Sequence, residues 1–357
     1  MPSQRGCWKS RAQGLGKGSA NIACTYPGRY WERLEAADAD VDPERLNRAK
    51  KCFQNAGSDD PYRVVVIRYG RIVAEWSRDV ASNTRLPLAS ANKSILSCLL
   101  GIAIQQGRIS SADAKIIDHY PEAMMVPEGS GPKEGRYARE KDHAITMRQL
   151  ISNTSGYMKP NEPPGEVFHY QTFGMTILQH AIAKAYGYYD IREPEDSPGL
   201  KPLVDTWLRS PIEARWGYYK DSFDSQPGAR QEIFDHRDGV ETSALDMARL
   251  GWLWCNWGRW RDSQLIPEAW MREATRTARD IRDHCPEQQW KYGYGFWTND
   301  HGKMWPVLPR DSFAARGAGN QRIWVCPSLS LVVVESPGFG EEEHVTFLDR
   351  IVGACLG

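Results

Sequence analysis

The sequence predicts an α+β fold: one antiparallel sheet assembled from both ends of the chain and interrupted by a helical insertion. Three observations carry that expectation. Near the start, β-branched runs at Tyr62–Ile67 and Ile72–Trp76 flank Arg68-Tyr69-Gly70-Arg71, the pattern of a hairpin. Near the end, Gln321–Val325 and Leu331–Glu335 flank a turn at Pro327-Ser328 in the same way. Between these pairs the apolar spacing is helical, in Ser90–Gln106, Phe173–Ala185 and Thr242–Cys255. Strands at both ends with helices between them segregate as an α+β architecture.

Taken in order, residues 1–28 are expected to form a flexible tail. Their charges are basic (Arg5, Lys9, Arg11, Lys17), with no acid before Glu32, and they lack the continuous apolar segment of a secretory signal. A cytoplasmic location is therefore expected, with a cleaved targeting segment as the alternative. Within the tail, Gly14-Leu15-Gly16-Lys17-Gly18-Ser19 imitates a phosphate loop but lacks the preceding strand and following helix that such a loop needs. Asp42 as N-cap and Pro43 at the first helical position open a helix to Phe53. In Ser90–Gln106 the apolar residues Ile95, Leu96, Leu99, Leu100, Ile102, Ala103 and Ile104 cover nearly the whole circumference, which predicts a buried helix. Pro121–His143 reads as loop, and Thr146–Ile151 as a short helix ended by Ser155-Gly156. Tyr186–Lys201 is rich in Pro and acids. Thr242–Cys255 carries Leu245, Met247, Ala248, Leu250, Leu253 and Trp254 on one side, and Glu341–Leu356 closes the chain with the stripe Val345, Leu348, Val352 and Cys355. The expected organisation is a sheet domain from 29–110 and 235–357, with a mostly helical domain at 111–234.

Composition excludes several classes. The chain has 357 residues, 45 basic against 45 acidic side chains, and 41% hydrophobic residues, enough to bury a core. At roughly 100–200 residues per domain it holds about two domains or one composite one. A net charge of zero argues against a nucleic-acid partner. The longest apolar run, Ile95–Ile104, is broken by Ser97 and Gly101 and falls short of the roughly 18 residues of a membrane span. None of the eight cysteines forms a C-x-x-C pair, so neither a zinc knuckle nor a thioredoxin-type site is indicated. Cys98 and Cys326 read as buried free thiols, and disulfides elsewhere are permitted but not implied. The histidines show no H-E-x-x-H and no i,i+4 pair, so no metal is expected. The G-x-S-x-G elbow is absent as well.

Ser-x-x-Lys occurs twice, at Ser90-Ala91-Asn92-Lys93 and Ser130-Gly131-Pro132-Lys133. Chance alone gives roughly one such spacing in a chain this long, so context decides. Gly-Pro destroys any helix in the second, leaving the two side chains with no fixed relation. The first opens the most apolar helix, where i,i+3 spacing puts hydroxyl and amine on one face. A lysine at the entrance of a buried helix loses hydration, which lowers its pKa and makes a neutral amine accessible. Such an amine can activate the neighbouring serine as a nucleophile. The residues alone equally allow Ser90 as a plain N-cap and Lys93 as a snorkelling first-turn side chain.

The wider pattern separates these readings. Leu86-Pro87-Leu88-Ala89-Ser90-Ala91-Asn92-Lys93-Ser94 is followed by Gly107-Arg108-Ile109 and Asp118-His119-Tyr120-Pro121-Glu122. Then come Ile145–Gly156, Phe168-His169-Tyr170, Thr242–Gly251 and Gly317-Ala318-Gly319-Asn320-Gln321. In this order, from about Tyr26 onward, they resemble the serine β-lactamase superfamily, in particular its branch of class C β-lactamases, esterases and 6-aminohexanoate-dimer (nylon-oligomer) hydrolases. The resemblance implies a β-lactamase/penicillin-binding-protein-like fold. It implies that Ser90 is the acylated nucleophile, Lys93 its partner, and Tyr170 the tyrosine of the Tyr-x-Asn element, which exchanges protons with nucleophile and leaving group. The backbone N–H groups of Ser90 and Ala318 would form the oxyanion hole. Two departures stand out. Thr172 replaces the family's Asn in Tyr170-Gln171-Thr172, and Ala315-Arg316-Gly317 replaces the Lys-Thr-Gly strand, which puts recognition of a β-lactam carboxylate in doubt.

The sequence therefore points to a serine hydrolase acting on a small-molecule ester or linear amide, with no cofactor. Thr172, Arg316, Gly317 and Asn320 are the expected substrate contacts, and an apolar cleft is a possible use of some of the 14 tryptophans, among them Trp290, Trp297 and Trp305. The alternatives are a β-lactamase or D-amino-acid peptidase on the same scaffold, or a catalytically silent binding member of the family.

Overall fold

The computed structural model describes residues 22–55, 59–222 and 225–356, so the glycine-rich segment 14–19 lies outside the described residues. The first hairpin forms as expected, from Tyr62–Arg68 (β1) and Arg71–Arg78 (β2). Near the other end lie Trp297–Thr298 (β8), Phe313–Gly317 (β9), Gln321–Cys326 (β10) and Leu331–Glu335 (β11). The six strands form one sheet in the order β2-β1-β11-β10-β9-β8. β1 pairs antiparallel with β11, Val64 facing Glu335 and Arg68 facing Leu331, so strands from the two ends of the chain meet at the middle of the sheet.

Both faces of this sheet are covered, which explains why its strands read as continuous apolar runs. Val64, Val66, Leu331 and Val333 point to one core, and Val65, Ile67, Val332 and Val334 to the other. The first core is closed by Pro43–Asn55 (α1) and Glu341–Leu356 (α10), through Leu46, Ala49, Phe347, Leu348 and Ile351. Asp42 caps α1 as its sequence predicts, its Oδ1 accepting from the N–H groups of Glu44 (2.8 Å) and Arg45 (3.0 Å). The second core lies under Asn92–Gln105 (α2) and Ala244–Cys255 (α7). In α2 every residue from Lys93 to Ala103 is buried, as its apolar circumference requires.

A second, three-stranded sheet was not legible in the sequence. Leu86–Pro87 (β3), Gly217–Asp221 (β4) and Arg237–Thr242 (β5) pair antiparallel in the order β3-β5-β4. Its strands are short and carry Lys220, Asp221, Arg237 and Asp238, so no apolar alternation announces them. β4 falls in the segment expected to be mostly helical and pairs, Gly217 with Glu241, across the expected boundary at 234/235. The helices of that region are Met147–Ile151 (α3), Phe173–Ala185 (α4), Lys201–Val204 (α5) and Gln231–Phe234 (α6). A small hairpin, Arg259–Trp260 (β6) with Ser263–Gln264 (β7), precedes Glu268–Ala274 (α8) and Arg279–His284 (α9).

Residues 22–28, assigned to the flexible tail from sequence, lie against the body. Thr25 N–H donates to Tyr69 O (3.1 Å), Trp252 Nε1 donates to Thr25 O (2.9 Å) and Arg249 Nη2 to Gly28 O (2.6 Å). This backbone supplies acceptors that buried Trp252 and Arg249 need. No disulfide links any of the seven described cysteines, and Cys98 and Cys326 are buried. Among the described residues no helix is long and apolar enough to cross a membrane, and no group of His, Cys, Asp or Glu is placed to hold a metal.

Candidate active site

Ser90 does not cap α2. It sits in a 3₁₀ turn, Ala89–Ala91, that precedes the helix, so its hydroxyl is not spent on the helix N-terminus. Ala89 has φ of 48°, a left-handed conformation uncommon for a residue with a Cβ and held here by its surroundings. On one side β5 grips the turn: Leu88 N–H donates to Val240 O (2.9 Å), while Asn92 accepts from Val240 N–H (3.0 Å) and donates to Ala89 O (2.9 Å). On the other side β9 closes in. A Cβ at Gly317 would lie 2.1 Å from Leu88 O, so only glycine lets the strand approach this turn. Asn92 is a site-building residue that the sequence reading quoted but did not single out.

The Lys93 amine donates to Ser90 Oγ at 2.9 Å and to Thr172 Oγ1 at 3.4 Å. Lys93 is 5% exposed, and burial, aided by the charge of Arg237, lowers its pKa from 10.5 to about 7. Tyr170 stands beside the pair, its ring 4.8 Å from the Lys93 Nζ. Burial raises the phenol pKa, opposed by a hydrogen bond with Ser90 and by the charge of Arg316. The segment holding Tyr170 is strapped on both sides by Asn153, whose backbone O accepts from His169 N–H (2.9 Å) and whose Oδ1 accepts from Gln171 N–H (3.0 Å). Ser90, Lys93 and Tyr170, separated by up to 80 positions in the chain, thus converge. The second Ser-x-x-Lys does not: Ser130 O accepts from Arg230 N–H, and exposed Lys133 lies over the Phe173 ring.

The predicted substrate contacts divide. Thr172 faces Lys93, taking a place beside the amine. Gly317 makes the close approach described above, and Ala318 follows it, exposed, in the turn after β9. Arg316 forms an ion pair with Glu341 and stacks over Trp297, 5.4 Å to the ring centroid. Trp297 in turn stacks on Tyr170 at 5.5 Å. Asn320 is turned away: it is exposed, occupies the left-handed corner between β9 and β10, and accepts from Arg322 at 3.4 Å. Of the tryptophans singled out, Trp305 is fully buried in the core closed by α1 and α10 and Trp290 packs on His301, leaving Trp297 at the site. Beside Ser90 a cavity of about 150 Å³ runs between α2, α4, α5 and the second sheet. Because that sheet was not foreseen, neither was the cavity.

A family model described as Beta-lactamase matches residues 62–335. Among solved structures the chain is similar to a penicillin-binding protein homologue from Caulobacter crescentus, with TM-score 0.63 and 15% identity over 88% of this chain and 98% of that one. It is similar to EstCE1, a hydrolase with promiscuous acyltransferase activity, with TM-score 0.61 and 13% identity over 90% and 100% of the two chains. A Bacillus anthracis protein assigned as a 6-aminohexanoate-dimer hydrolase gives TM-score 0.61 and 16% identity over 93% and 88%. At these identities the likeness is one of fold. No curated protein sequence matches the chain.

Proposed function

This chain belongs to the beta-lactamase family and is a serine hydrolase of that superfamily, and we propose that it cleaves an ester or linear amide through an acyl-enzyme on Ser90. The observation that carries the proposal is the Lys93 amine, 5% exposed and 2.9 Å from Ser90 Oγ, where burial lowers its pKa to about 7. A neutral amine at that distance can take the hydroxyl proton as the oxygen attacks. Ser90 Oγ bonds to the substrate carbonyl carbon, and its proton passes to Lys93. The carbonyl oxygen becomes an oxyanion held by the backbone N–H groups of Ser90 and Ala318, a role that needs no particular side chain. Tyr170 relays the proton to the departing alcohol or amine as the carbon–leaving-group bond breaks. Water then attacks the acyl-Ser90 ester, giving up its proton to the same groups, and releases the acid with Ser90 restored.

A second reading, hydrolysis of β-lactams or D-amino-acid peptides, is favoured by the description of the matching family. It requires a cation for the substrate carboxylate, and Arg316 is already paired with Glu341. A catalytically silent member would have no need of Ser90, Lys93 and Tyr170 in contact. The test is mass spectrometry after treatment with a serine-reactive phosphonate. An adduct on Ser90, lost in Ser90→Ala together with esterase activity, is expected; an adduct on Ser130 would overturn the assignment.

A further inference from the structure

We propose that Asn153 is a positioning residue for catalysis: it fixes the backbone on both sides of Tyr170, and through that backbone the phenol that serves Ser90. The inference rests on Ser90 as the acylated nucleophile and Tyr170 as its proton carrier, and it deepens that reading. Tyr170 precedes α4 in a stretch that is neither helix nor strand. Such a stretch has no ladder of its own, so its backbone groups must be held from elsewhere. Both neighbours of Tyr170 are held by one residue. His169 N–H donates to Asn153 O at 2.9 Å, and Gln171 N–H donates to Asn153 Oδ1 at 3.0 Å. Two further bonds extend the clamp, from Gly165 N–H to Thr154 O (2.7 Å) and from Gln171 Nε2 to Ser155 Oγ (3.3 Å).

Asn153 can act as a clamp because it is itself held. It is 1% exposed and has φ of 60°, a left-handed conformation that favours Asn and Asp among residues with a side chain. Its neighbours are tied into a buried polar network. Ser152 Oγ lies 2.8 Å from Thr154 Oγ1, Thr154 Oγ1 donates to Asp280 Oδ2 at 3.2 Å, and Asp280 pairs with Arg148 of α3. At the ring end, Tyr170 stands edge-on to Tyr292, 5.7 Å between centroids, and stacks on Trp297. A tyrosine side chain turns about only two torsions. With the ring packed and the backbone clamped, the phenol oxygen is kept beside Ser90. Catalytic groups need such support to within about 0.5 Å. Removing the Asn153 carboxamide opens one side of the clamp and takes the acceptor from Gln171 N–H.

The test uses the full chain and Asn153→Gly, which keeps the left-handed backbone and the carbonyl that holds His169 but removes Oδ1. For a short-chain alkyl ester, whose alcohol needs a proton as it departs, kcat/KM is expected to fall about a hundredfold, the cost of a displacement near 1 Å at a reacting centre. In a Tyr170→Phe background the same change should cost less than about twofold, because a residue that acts through another is not additive with it. A merely structural residue would lower activity in both backgrounds alike. Equal losses therefore overturn the proposal, as does activity within about twofold of the parent in Asn153→Gly alone. Asn153→Asp accepts the same φ and keeps an acceptor for Gln171 N–H, so it should hold kcat/KM at least about tenfold above Asn153→Gly; no rescue overturns the proposal. Should Asn153→Gly lose the parent circular dichroism spectrum, Asn153→Ser, whose hydroxyl stops one bond short of Oδ1, takes its place in the same comparison. Ester hydrolysis that persists in Ser90→Ala, or parent-like rates in Tyr170→Phe, would instead remove the catalytic assignments, and the proposal with them.

Discussion

Lys93 is where residue chemistry and function meet most directly. In the proposed mechanism its amine must be neutral to accept the Ser90 proton, and its pKa is lowered to about 7 chiefly by burial. We therefore expect kcat/KM for an aryl ester to rise about tenfold per pH unit below 7 and to level off above it; a profile flat from pH 5 to 8 would remove Lys93 as the base. The same shift acts on stability. Below pH 7 the amine is charged in both states, and the folded protein bears the full cost of burying it. Between pH 7 and 10.5 the unfolded chain holds a proton that the folded chain does not, so the stability traceable to this residue rises with pH. Lys93→Met should accordingly raise the thermal midpoint more at pH 6 than at pH 10, and equal shifts would contradict the burial argument. Tyr170→Phe removes one oxygen, so the fold should survive while acylation slows by roughly 10²–10⁴. Lys93→Ala should be comparably damaging and the double variant little worse, because groups acting as a unit are not additive; normal stopped-flow acylation in Tyr170→Phe would mean that another group moves the proton. These three residues were legible because their chemistry depends on residue type at fixed motif positions. The contact of Thr172 with the amine was not, since its motif position marked it only as a substrate contact.

At the scale of elements, legibility followed burial. Strands with both faces buried and helices with broad apolar surfaces stood out: α4 and α10 have the bounds expected, and β1, β10 and β11 differ from expectation by one residue or none. Elements ordered by tertiary contact did not stand out. β9 is five residues long with Arg316 inside it, yet it forms one wall of the Ser90 turn. Its approach depends on Gly317, and the atom a side chain would meet is the backbone oxygen of Leu88, which cannot rotate aside. Gly317→Ala must push the strand off the turn, carrying Ala318 with it. A displacement near 1 Å at a reacting centre costs about a hundredfold, so kcat/KM should fall by about that factor while circular dichroism stays unchanged. Activity within twofold of the parent would show that β9 does not set the geometry at Ser90.

Across the whole molecule, the architecture follows from pairing the two ends of the chain, which hairpin patterns alone announce. The cavity beside Ser90 does not, because it lies between that legible body and a second sheet too short and too polar to be read. The departure from the Lys-Thr-Gly pattern now has a structural meaning. Arg316 is a positive charge near the site, but Glu341 of the last helix neutralises it and Trp297 lies beneath it. To hold a β-lactam carboxylate it would have to leave both. Its long planar fork also cannot occupy the place of a compact ammonium one residue earlier. Losing a charge-assisted hydrogen bond costs about 1.5–3 kcal/mol, roughly one to two decades in kcat/KM, whereas linear esters and amides need only the nucleophile, its proton carriers and backbone donors. A short-chain aryl ester and a linear ω-amino-acid amide should therefore both surpass a chromogenic cephalosporin in kcat/KM. Glu341→Gln separates the two causes: if neutralisation of Arg316 is what excludes the carboxylate, freeing the guanidinium should narrow the gap about tenfold. If the cephalosporin leads in the unmodified protein, Arg316 already binds carboxylate despite Glu341, and the β-lactamase reading replaces the one proposed.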